Sequence, residues 1–149
     1  MNEKRIRRAV ALIWILLPAI AVTADSVTLK SIMQGLRDDL VDISDGLLTD
    51  DFELVANGAV SIAQHPQIPP AQVQLVAAEL GTEMAAFKQI DTLVHDLAIE
   101  ISAAAAAGNR DTAISDYQRM IEGCFACHRA YKERVAAVLN QEQDPSRQR

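Results

Sequence analysis

Aromatic side chains make up only 4% of this 149-residue chain, and it holds 6 glycines, 5 prolines and 2 cysteines. Runs of Val, Ile and aromatics bounded by turns are scarce, whereas Ala and Leu dominate the hydrophobic 50%. That balance excludes a sheet-rich fold and favours helices. Basic residues are in deficit, 14 against 20 acidic, for a formal charge of −6. A phosphate-backbone partner needs a clustered basic face, so nucleic acid is set aside. No internal repeat or second domain is present, and no hydrolytic triad, phosphate loop or carboxylate dyad that would mark an enzyme.

The first segment does have organisation. Lys4, Arg5, Arg7 and Arg8 precede an apolar run from Ala9 to Val22, followed by small residues up to Ala24. That order describes a secretory signal peptide over residues 1–24. The run is shorter than the roughly 20 residues a spanning helix needs. Without this segment ten basic residues face nineteen acidic ones, about −9. The expected location is the periplasm, an oxidising setting in which two cysteines could ordinarily pair.

Four amphipathic stretches follow. Leu29, Met33, Leu36, Leu40, Ile43 and Leu47 recur in steps of three and four and predict a first helix from Ser26 to Leu48. Thr49-Asp50-Asp51 interrupts it and supplies capping oxygens for a second, with Phe52, Val55, Ala59 and Ile62 inward. The prolines at 66, 69 and 70 exclude helix there and predict a crossover loop. A single third helix is expected from Pro69 or Pro70 to Gly108, on the stripe Val73, Val76, Leu80, Phe87, Ile90, Val94, Leu97 and Ile101. The fourth stripe, Ile114, Tyr117, Ile121, Cys124, His128, Tyr131, Val135 and Val138, has no miss and predicts that Cys124 and His128 face the core. The expectation is an all-α protein, an antiparallel up-down-up-down four-helix bundle over residues 25–140, with 141–149 a polar tail.

Such bundles close their interior with Leu and Ile, so a Cys and a His on the inward stripe imply a cofactor. Cys124-Phe125-Ala126-Cys127-His128 is C-x-x-C-H, the attachment sequence of c-type haem. Two thiols can add across the haem vinyl groups, and the adjacent imidazole can serve as proximal iron ligand. A redox dithiol would need the pair at a helix N-terminus after a strand, whereas this pair lies in mid-helix. A zinc or copper site would need a fourth ligand that one helical turn does not supply.

The chain resembles the cytochrome c-prime family, the class II c-type cytochromes, on three features. These are four helices after a signal peptide, C-x-x-C-H in the last helix, and the continuation His128-Arg129-Ala130-Tyr131-Lys132. The resemblance implies one covalent haem c in a periplasmic protein, with the sixth iron position supplied by the first helix or left open. Met33, near the start of the first helix, falls where Met-ligated members carry their ligand. A thioether there raises the potential, and a core-filling Met is the other reading. Met84 and Met120 read as core or rim. His95, one turn after Asp91, is either a carboxylate-paired flank residue or an alternative ligand. His65 reads as solvated. Tyr117, Tyr131 and Phe87 read as aromatics packing on the haem, while Arg119, Arg129 and Lys132 are either solvated or partners of its propionates.

The expected function is one-electron transfer by a monohaem cytochrome, with Cys124, Cys127 and His128 holding the haem and His128 and Met33 on the iron. Its partners would be periplasmic redox proteins, steered by the acidic surface toward basic faces, with a homodimer as a further possibility and membrane association only through partners. The alternatives are a five-coordinate haem protein that binds nitric oxide or carbon monoxide, and a non-haem structural or metal-handling bundle.

Overall fold

The computed structural model describes residues 27–142, and the expected signal segment and residues 143–149 lie outside them. Its elements are α1 (Leu29–Thr49), α2 (Phe52–Ala63), α3 (Pro70–Leu80), a 3₁₀ turn (Gly81–Glu83), α4 (Met84–Ala106) and α5 (Arg110–Glu142). No strand occurs among the described residues, and the chain is an all-α bundle.

Local chemistry sets most of the boundaries. Thr28 and Ser31 form a reciprocal capping box at the start of α1, which leaves fewer orphan N–H groups on its first turn. Asp50 ends α1 in the left-handed region at φ 60°, a conformation Asp tolerates better than most residues. Asp51 then caps α2 by accepting from the Leu54 N–H at 3.0 Å. Pro70 opens α3 at a position where a missing N–H costs nothing.

The expected third helix is divided. Gly81 adopts φ 51°, which only glycine takes readily, and α3 ends there in a single 3₁₀ turn before α4 begins. The conformation of Gly81 breaks the helix although Met84 continues the apolar stripe between Leu80 and Phe87. Arg134 of α5 fastens this joint. It donates to Glu79 at 3.0 Å and to Glu83 at 2.8 Å, and also to the Glu79 carbonyl at 3.2 Å.

The packing order is α1 on α2, α2 on α4, α4 on α5, with α3 laid against α5. α1 and α2 meet closely because Gly58 is a glycine: a Cβ there would lie 2.9 Å from both the Asp39 carbonyl oxygen and Ile43 Cγ1. Two apolar clusters result. One joins Ile43, Val55, Ala59, Ile62, Leu97, Ile101 and Met120; the other joins Leu29, Val76, Leu80, Tyr131, Val135 and Leu139. Met120 is core, as expected, and Met84 packs half-buried on the second cluster.

The pair missing from this order is α1 with α5, which do not pack along their length. Hydrogen bonds tie them near one end, where the order of the partners makes the two helices antiparallel. Arg110 pairs with Asp50 and donates to the Leu47 carbonyl at 3.2 Å, and the Tyr117 hydroxyl hydrogen-bonds Ser44 and reaches the Leu40 carbonyl at 3.4 Å. Toward the other end Leu29 shares the second cluster with Tyr131, Val135 and Leu139.

Candidate functional site

The C-x-x-C-H residues lie in the middle of α5. Cys124 and Cys127, one turn apart, are half-buried and unbridged, and Cys127 packs on the second cluster. Burial pushes both thiols above their ordinary value of 9.0, with Asp91 and then Cys124 adding to the effect at Cys127. Both are therefore protonated thiols at neutral pH. Behind them α4 comes close: a Cβ on Gly123 would lie 3.0 Å from Val94 Cγ2. A glycine before the motif is what lets the two helices touch at this level.

His128 is exposed, contrary to the expectation that it faces a closed core. The helix phase is not the reason. Val135, seven residues on and within about 20° of the same line at 100° per residue, is only 7% exposed. What differs is the cover at that turn, which leaves His128 open to solvent. Met33 behaves the same way. It is 41% exposed, whereas Leu40, seven residues along the same line, is partly buried against the first cluster. The inward turn of α1 at this level is taken by Ile32 at 4%.

Ser44 and Tyr117 are hydrogen-bonded across the helix pair. Met33 lies eleven residues before Ser44, and His128 eleven residues after Tyr117. Eleven residues make three turns plus about 20° and rise about 16 Å, so in antiparallel helices both steps run the same way along the bundle. Met33 and His128 thus stand at one level on the facing sides of α1 and α5. The Ser44–Tyr117 hydrogen bond joins the two helices on one side of that level, and on the other side Leu29 and Tyr131 belong to one apolar cluster.

The remaining candidates fall outside this level or off its face. His95 is exposed on α4. His65 is half-buried in the proline loop, with Nδ1 2.8 Å from the Pro66 carbonyl oxygen. Arg119 pairs with Asp116 at 2.9 Å and stands 3.8 Å from Glu100, whereas Arg129 and Lys132 are exposed beside the motif. Phe87 and Tyr131 form an edge-to-face pair, with centroids 5.5 Å apart and rings at 76°. Sequence reasoning passed over Ser44 and the Tyr117 hydroxyl. Their signal was a polar residue on the flank of one stripe opposite a tyrosine on another.

Among the described residues no three His, Cys, Asp or Glu side chains converge as a metal cage, and no helix is long and apolar enough to cross a membrane. The donors that do share a level are two thiols, an imidazole and a thioether. No protein-family profile, curated protein or solved structure matches this chain.

Proposed function

We propose that the cleft between α1 and α5 holds one covalent haem c, and that the protein is a periplasmic one-electron carrier resembling the cytochromes c-prime. What supports this reading is the C-x-x-C-H sequence on α5 together with the common level of Met33 and His128 on α1 and α5, a helix pair that does not pack along its length. In such a bundle, up-down-up-down in its topology, two thiols, an imidazole and a facing thioether form a soft donor set suited to haem iron.

Cys124 and Cys127 would each hold the ring as a thioether. His128 would bind the iron from α5 and Met33 from α1. Phe87, Tyr131 and Ile90 would give the ring an apolar wall. A haem bound here supplies a centre that takes up or releases one electron; the bundle sets its potential through ligand, burial and hydrogen bonding.

The 41% exposure of Met33 favours a second reading, in which the sixth position stays open and a small gas binds there. The visible spectrum decides between them. The carrier reading expects low-spin six-coordinate iron that turns high-spin and carbon monoxide-reactive in Met33→Ala. Wild-type protein already high-spin and reactive toward carbon monoxide would replace it with the gas-binding reading. A change of spin state in His95→Ala alone would overturn the assignment of Met33.

A further inference from the structure

Gly58 draws α1 and α2 together at Asp39 and Ile43, and past that point α2 ends before the proline loop. A cavity of about 460 Å³ opens there, between the first half of α1 and residues 60–66. It is not the face of α1 that carries Met33. No residue of α5 lines it, and Gly35 and Asp39 on its wall lie about 160° and 120° round α1 from Met33, at 100° per residue. Ile32, buried, and Leu36, half-buried, make its apolar inner wall, while Val27 and Val60, 46% and 38% exposed, stand at its mouth.

Five of the six glycines have a packing or backbone reason. Gly46, Gly58 and Gly123 sit where a Cβ would meet a neighbour at 3.0 Å or less, and Gly81 and Gly108 take positive φ. Gly35 has neither reason. It lies inside α1, where glycine weakens a helix relative to alanine, and a Cβ on it would have nothing within 4 Å. What its missing side chain does is leave the cavity open. Asp39 is the one carboxylate on the wall, and no Lys or Arg lines it. The charges that act on Asp39 are those of Asp42 and Asp38, of its own sign, and Arg37 is taken up by Asp38 at 2.7 Å. On the α2 side, His65 Nδ1 lies 2.8 Å from the Pro66 carbonyl oxygen. A carbonyl only accepts, so Nδ1 carries the hydrogen and the neutral ring keeps Nε2 as an acceptor. A negative charge without a cation, a second acceptor and an apolar wall thus share a space of the size that small ligands occupy.

We propose that this α1–α2 cavity binds a small organic cation, a primary amine on an apolar body of one or two rings, with the ammonium on Asp39 and the body in the room that Gly35 leaves against Ile32 and Leu36. The site is independent of the haem reading. Tryptamine is the probe, against two molecules of nearly its shape, the neutral indole-3-ethanol and the anionic indole-3-propionate. They are titrated into the processed protein at about pH 8 and low salt, where screening is weakest. Amide shifts should concentrate in residues 27–39 and 60–66 and saturate at roughly millimolar tryptamine, as expected of about a dozen heavy atoms in an open site. The alcohol should bind about fivefold more weakly, the worth of a partly exposed ion pair, and the propionate should not saturate. Asp39→Asn should bring tryptamine down to the level of the alcohol. Gly35→Leu fills the cavity and should abolish binding of both without lowering Tm, whereas Gly35→Ala should keep both. Equal binding of tryptamine and the alcohol, binding that survives Gly35→Leu, or shifts centred on other residues would overturn the proposal. So would a concentration-dependent dimer that covers residues 27–39 and 60–66 without ligand, because the cavity would then belong to a second copy of the chain.

Discussion

Tyr117→Phe is the most informative small change outside the motif, because it removes one oxygen and keeps the ring. The hydroxyl hydrogen-bonds Ser44 and reaches the Leu40 carbonyl. Ser44 keeps its own donation to that carbonyl at 2.8 Å, so no buried donor is orphaned. The loss should then be about 0.5–1.5 kcal/mol, the net value of a hydrogen bond whose partner stays satisfied. For a domain of about 125 residues that corresponds to a fall in Tm of about 2–6 °C. Tyr117→Ala also removes the ring from its packing on the first cluster, and should cost about 3–5 kcal/mol. If the tie sets the α1–α5 register, Tyr117→Phe also has an effect that stability alone does not produce: part of the iron turns high-spin as Met33 slips from His128. Urea titration gives the stability, visible spectra the spin state, and a double-mutant cycle with Ser44→Ala the coupling. Additive effects within about 0.3 kcal/mol, together with an unchanged spectrum, would refute the register argument.

Three further outcomes follow from single contacts. Gly58→Ala must push α1 off α2, since its Cβ would lie 2.9 Å from the Asp39 carbonyl oxygen, and should lower stability by about 1–3 kcal/mol in a thermal melt despite the better helix propensity of Ala. Burial first, and then Asp42 and Asp38, raise the Asp39 carboxyl above 3.8. Its contribution is therefore present below that pH and lost as pH rises, so Asp39→Asn should stabilise by a few tenths of a kcal/mol at pH 7, and the gain should vanish below about pH 3. In chains made without haem, alkylation of Cys124 and Cys127 should reach half its maximal rate above pH 9.0; a midpoint below that would contradict the burial of the thiols.

The helix ends were legible because they have local causes. Asp51 supplies a capping oxygen, Pro69-Pro70 excludes one conformation and starts another, and Gly108 stops a helix whatever surrounds it. Gly81 carried the same kind of signal, but the apolar period on both sides masked it. The motif was legible because covalent spacing is written in the chain. The exposure of Met33 and His128 was not, since periodicity tells which residues share a face and not whether another helix covers it. Met33 and Leu40 lie on one line of α1, and only packing separates them. The tie between Ser44 and Tyr117 was hidden for a related reason: the register of two helices distant in sequence depends on the turns and on every helix between them.

The proposed haem would be held by Cys124 and Cys127 of α5. Mass spectrometry under denaturing conditions, on protein exported from a host with the cytochrome c maturation machinery, tests it directly. The expected result is the mass of the processed chain plus one haem, and the loss of that increment in the Cys124→Ala/Cys127→Ala variant. A processed chain at its bare mass from a host that loads a control cytochrome would contradict it.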